Sequence, residues 1–157
     1  MQVKFENILF PTDFSELALV ALQHARKLVG AFSAQLHCLH VIDEAFQYWS
    51  AMGPESVPVG PPVEELLESA RNRITRFRDE HLADLTPEPM THVILGRPFA
   101  EIIAYARQND IDLIVMGTHG RGALVQMLLG STTEKVVRKA SAPVLTVRAP
   151  GHDFIMP

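Results

Sequence analysis

With 157 residues, of which 47% are hydrophobic and 20% charged, the chain is about one domain long and has enough apolar surface to offset the entropy of ordering it, which excludes a largely disordered polypeptide. A formal charge of −4 and a pI near 5.9 argue against a partner held by many Lys and Arg contacts, as nucleic acid is. The one cysteine, Cys38, allows no intramolecular disulfide, the opening residues lack the stages of a signal peptide, and no apolar run reaches the roughly 20 residues of a bilayer-spanning helix, so a cytoplasmic setting is expected.

Ile8-Leu9-Phe10 is a short apolar run stopped by Pro11, and from Ser15 to Val29 apolar residues recur near every 3.6 positions. This predicts a strand, a turn and a helix, with Ser15 as N-cap and Gly30 as C-cap. The segment from Gln35 to Ile42 reads as a largely buried second strand. Between Glu44 and Pro62 the breakers Gly53, Pro54, Pro58, Gly60, Pro61 and Pro62 leave no period, and a long loop is expected. Val63, Leu66, Leu67, Ala70, Ile74 and Phe77 then mark the apolar face of a second helix. Its Arg71, Arg73, Arg76 and Arg78, near Glu64, Glu68, Asp79 and Glu80, read as a solvated face.

A third strand is expected from Thr91 to Leu95, followed by a helix with Pro98 in its first turn. Ile111 to Met116 is a fourth strand, Ser131 to Lys139 a helix, and Pro143 to Val147 a fifth strand. Strand and helix alternate throughout. Right-handed crossovers then bring each helix back over a parallel sheet, so the fold class is a doubly wound, mainly parallel five-stranded α/β sandwich, Rossmann-like, over residues 1–148 with a tail at 149–157. In such sheets ligands bind beyond the carboxyl ends of the strands, where connections diverge. Pro11-Thr12-Asp13 and the glycine loop after the fourth strand meet that description.

That loop holds Gly117, Gly120 and Gly122, and Gly130-Ser131-Thr132-Thr133 opens the next helix. Free N–H groups and a partial positive charge at a helix start stabilise phosphate without a lysine, while the Ser131, Thr132 and Thr133 hydroxyls and the Arg121 guanidinium can add donors. The loop is neither a Walker A sequence nor the Gly-x-Gly-x-x-Gly dinucleotide pattern. On glycine content alone, a shaped turn with a helix cap is an equal account.

The spacing Gly117-x2-Gly120-x9-Gly130-Ser131 resembles the nucleotide-binding signature of the universal stress protein family, with no departure at the defining positions. The likeness extends through Ile8-Leu9-Phe10-Pro11-Thr12-Asp13-Phe14-Ser15, Leu39-His40-Val41, Gly96 to Ile103 and Ala142 to Val147, leaving the 44–62 loop and the tail as poor matches. The resemblance implies an ATP-binding protein, with Mg²⁺ or Mn²⁺ held mainly by the phosphates, and a homodimer joined partly through the last strand. It implies that Asp13 holds the ribose hydroxyls, that the Val41 backbone meets adenine, and that Pro11, Thr12 and Met116 line the base and sugar pocket. Gly117, Gly120, Gly130, Ser131, Thr132 and Thr133 would surround the phosphates. A carboxylate accepts hydroxyl protons and repels phosphate, which agrees with Asp13 at the sugar end, although Asp in this position also serves as a turn residue.

Other residues have bland accounts beside the sharper ones. His37, Cys38 and His40 are metal-ligand types, but a strand sends alternate side chains to opposite faces, which favours packing. His119 is either a phosphate or metal contact or a solvated loop histidine. Phe46, Tyr48 and Trp49 form either a lid over a base or packing within their own loop. Three functions remain open: a nucleotide-dependent regulatory module with no nucleophile, a slow ATP hydrolase in which His119 or Asp13 positions water or metal, and an interaction protein of stress responses whose pocket stays empty.

Overall fold

A computed structural model describes residues 3–45, 61–119, 129–148 and 150. Strand β1 (Asn7–Pro11) leads through a short turn into helix α1 (Glu16–Phe32), followed by β2 (Gln35–Asp43), α2 (Val63–His81), β3 (Met90–Gly96), α3 (Pro98–Gln108), β4 (Leu113–Gly117), α4 (Ser131–Lys139) and β5 (Val144–Val147). The strands form one five-stranded sheet in the order β3-β2-β1-β4-β5, and every pairing is parallel.

The α/β class expected from alternating strands and helices is present, and within the strands period-two alternation divides the side chains between two faces. Ile8 and Phe10, with Leu36, Cys38, Leu113 and Val115, pack on one face against Ala18, Leu22, Ala25 and Val29 of α1 and Ile74 and Phe77 of α2. Leu9, Leu39, Ile114 and Met116 point the other way and meet Ile102, Tyr105 and Ala106 of α3 and Val136 of α4. Among the described residues, each face therefore carries two helices.

Ser15 caps α1 as expected, its hydroxyl accepting the Ala18 N–H at 3.2 Å. Gly30 does not end that helix. The helix runs on to Phe32, whose ring meets Phe5 edge-on with centroids 5.0 Å apart, and Ser33 at φ 52° forms the left-handed cap with its N–H on the Val29 carbonyl. An extra turn that buries an aromatic ring outweighs the preference for glycine at the cap. Pro98 occupies the first turn of α3, as the sequence suggests. Within the loop expected at 44–62, Glu44 and Ala45 already have helical backbone, while 46–60, with Phe46, Tyr48 and Trp49, lie outside the described residues.

Candidate functional site at the carboxyl end of the sheet

The strand order puts β1 between β2 and β4, and the chain leaves β1 and β4 toward opposite faces: α1 joins the first layer and α4 the second. This is the switch point of a doubly wound sheet, where the segments that follow adjacent strands separate. The residues beyond β1, at the end of β2 and beyond β4 lie at this end of the sheet.

The turn after β1 is built from side chain to backbone bonds. Thr12 continues the ladder, its N–H donating to the Leu39 carbonyl at 2.8 Å. Its hydroxyl accepts the Phe14 N–H at 3.0 Å, and Asp13 Oδ1 accepts the Ser15 N–H at 3.0 Å. Asp13 thus makes the turn contact that its residue type favours. A carboxylate offers about four acceptor sites, so a turn bond and ligand hydroxyls are compatible on one group. Val41, beside Ile94 in the β2–β3 register, is half-buried next to the second core layer, and Met116 is buried within that layer.

Beyond β4, the Thr118 N–H donates to the Val147 carbonyl at 3.0 Å, and the Thr118 carbonyl accepts the Gly130 N–H at 2.6 Å. These bonds close the base of the loop and bring the start of α4 beside the end of β4. Gly130 is the N-cap of α4 and supplies no side-chain cap, so the donors of the first turn are not consumed by a capping side chain. Ser131 is exposed and Thr132 half-buried. Thr133 is buried, and its hydroxyl donates to the Gly117 carbonyl at 3.0 Å, which commits that proton to the fold. A Cβ at Gly117 would lie 3.4 Å from the Leu17 and His119 carbonyl oxygens, an ordinary contact that puts the end of β4 beside the start of α1. His119 Nδ1 lies 3.1 Å from the Thr118 hydroxyl. Gly120, Arg121 and Gly122 lie outside the described residues.

The structure therefore gathers Pro11, Thr12, Asp13, Gly117 and His119 from distant parts of the sequence at one end of the sheet. It also reveals neighbours that no periodicity marks. His40 Nδ1 lies 2.8 Å from the Thr12 carbonyl, which can only accept, so Nδ1 carries the proton. Phe14 packs against His40 and Phe77, with the Arg73 guanidinium 4.5 Å over its ring. Arg73 is thus exposed but engaged, a refinement of the solvated face expected for α2.

Deeper in the second layer His37 Nδ1 and the Tyr105 hydroxyl hydrogen-bond at 2.9 Å, and His92 stacks near both rings. Burial, followed by repulsion from His92, holds His37 below its usual range, and burial lowers His92 as well. Burial pushes the Cys38 thiol and the Tyr105 phenol up to about 12 each, with Cys38 adding to the latter. No group of three or more His, Cys, Asp or Glu suited to a metal occurs among the described residues.

The sheet and its switch point define the class: a doubly wound parallel α/β protein in which adjacent β1 and β4 lead to opposite faces. The model of the universal stress protein family matches residues 4–148, and the chain belongs to that family. It is 34% identical over 159 residues to universal stress protein MJ0577 of Methanocaldococcus jannaschii, covering 94% of this chain and 98% of the relative. Its fold superposes on the solved structure of MJ0577 with a TM-score of 0.81 at 33% identity, over 96% of this chain and 100% of the other. UspA from Lactobacillus plantarum gives 0.73 at 28% identity, over 94% and 100%. A universal stress protein solved in complex with cAMP shares the fold at a TM-score of 0.60 and 22% identity, over 93% and 98%.

Proposed function

We propose that this universal stress protein binds an adenine nucleotide, ATP with Mg²⁺ or Mn²⁺, in the crevice between the ends of β1 and β4, and acts as a nucleotide-dependent regulatory module. The observation that carries the reading is the closed loop base, in which the Gly130 N–H bonds the Thr118 carbonyl at 2.6 Å and the α4 start, without a capping side chain, sits at the end of β4, the strand next to the one that leads into Asp13. Anions are stabilised at such a helix start, and a carboxylate one strand away suits sugar hydroxyls and disfavours phosphate. Polarity thus orders the ligand: phosphates on the Gly117, Gly120, Gly130, Ser131 and Thr132 side, with Arg121 and His119 as further donors, and ribose at Asp13. Pro11, Thr12, Val41 and Met116 border the base and sugar, and the ion is held mainly by phosphate oxygens. The cAMP complex of a protein with this fold supports an adenine nucleotide as the ligand class.

The acting form is a homodimer joined through β5, in the cytoplasm. Leu145 is 38% exposed on that strand, and pairing an edge removes unsatisfied backbone groups. No helix among the described residues is long and apolar enough to cross a membrane.

Mass spectrometry of protein purified without added nucleotide tests the reading. Intact ATP supports a binding module, ADP or AMP points to slow turnover in the same crevice, and an empty protein that also fails to take up added ATP defeats the nucleotide reading.

A further inference from the structure

Phe14 adopts φ 62°, a left-handed conformation disfavoured for a residue with a Cβ, and most of all for a bulky one. Such a conformation persists only where the surroundings over-determine it, and the surroundings here are specific. The Phe14 ring lies with its centroid 4.5 Å from that of His40, 5.4 Å from that of Phe77, and 4.5 Å beneath the Arg73 guanidinium. Meanwhile His40 Nδ1–H donates to the Thr12 carbonyl at 2.8 Å. Thr12 and Phe14 flank Asp13, so one side chain from β2 grips the neighbours of Asp13 on both sides. Two further bonds of the turn, from the Phe14 N–H to Thr12 Oγ1 and from the Ser15 N–H to Asp13 Oδ1, each at 3.0 Å, depend on the same backbone path.

We propose that His40 and Phe14 are positioning residues that aim the Asp13 carboxylate at the vicinal hydroxyls of a ribose, and that they set selectivity for ribonucleotides over sugar-deficient analogues. The inference rests on the nucleotide reading above. Core packing alone would make Phe14 and His40 matter for stability and for all ligands equally. A positioning role makes them matter for the diol in particular, because a carboxylate–hydroxyl bond weakens steeply as its geometry departs from linear.

Isothermal titration of the full chain with ATP and with 2′,3′-dideoxy-ATP separates the two. The wild-type protein is expected to prefer ATP by about tenfold or more, as befits hydrogen bonds to a charged group. His40→Leu should reduce that preference to below about threefold while changing dideoxy-ATP affinity less than about twofold. His40→Asn, whose side-chain amide can present a donor where Nδ1 sits, should restore most of it. Phe14→Asn keeps a residue tolerant of positive φ but removes the ring, and it should also lower the preference; it decides the matter if His40→Leu fails to fold. A retained preference in folded His40→Leu and Phe14→Asn, or equal losses for both ligands, overturns the positioning role while nucleotide binding stands. A wild-type protein that binds both ligands alike removes the ribose role of Asp13 and the proposal with it, and one that binds neither removes the nucleotide reading itself.

Discussion

The Thr133 hydroxyl donates to the Gly117 carbonyl at 3.0 Å across sixteen positions of sequence, fastening the first turn of α4 to the last residue of β4. Thr133 is only 3% exposed and Gly117 is half-buried, so the bond is part-buried. Thr133→Val keeps the shape but removes the donor to the Gly117 carbonyl, which costs about 1–2 kcal/mol. For a chain of this size that lowers the melting temperature by about 2–8 °C, measurable by calorimetry. Ser131→Ala, at an exposed position, should leave it nearly unchanged.

Asp13 both shapes its turn and is proposed to hold ribose, and two substitutions divide these roles. Asp13→Asn retains an oxygen for the Ser15 N–H but removes the charge, whereas Asp13→Ala removes both. Each should weaken ATP binding by about tenfold or more, with Asp13→Ala also loosening the turn. Unchanged dissociation constants in titration calorimetry would dismiss the ribose role.

His37 and His92 give stability a pH dependence. Both imidazoles are held below the ordinary value of 6.5 by burial, so the folded chain binds fewer protons than the unfolded one. Their contribution is therefore complete above pH 6.5 and is lost as pH falls below it toward the depressed folded values. Asp84, lowered by its hydrogen bond to Arg26, acts in the other acid window, below its ordinary value of 3.8. Thermal melts from pH 8 to 5 should fall below pH 6.5, and His92→Phe should flatten the slope. A slope that is flat in the native chain would contradict this.

Leu145 rather than Val144 is the sharper probe of the proposed dimer. Val144 packs against the second core layer, whereas Leu145 is exposed on the opposite face of the last strand. Leu145→Glu should convert dimers to monomers in sedimentation velocity, with far-UV circular dichroism unchanged. A persisting dimer would move the interface elsewhere.

Much of this architecture was legible without coordinates because it rests on local chemistry. The apolar run Ile8-Leu9-Phe10, the Ser15 cap, Pro98 in a first turn and the helix after Gly130 all reflect preferences set within a few residues. Where local signals competed with packing, packing won. Gly30 is a favourable cap, yet α1 passes through it to bury Phe32 against Phe5. Phe14 carried no mark of its left-handed backbone, since that conformation is sustained by His40, Phe77 and Arg73 from two other elements.

By itself the sequence determined the βα repeat, the element boundaries to within a few residues, and the motif that relates the chain to universal stress proteins. Only the tertiary structure decided that β1 lies between β2 and β4, and so that Asp13, His40 and Gly117 share one end of the sheet. It alone put the Asp112 carboxylate on the Glu6 and Asn7 N–H groups, at 2.7 and 2.8 Å, and paired His37 with Tyr105. Helical and strand periods are properties of neighbours along the chain. Strand order depends on which distant ladders bury the most apolar surface together, a comparison among whole topologies that no local window of residues contains.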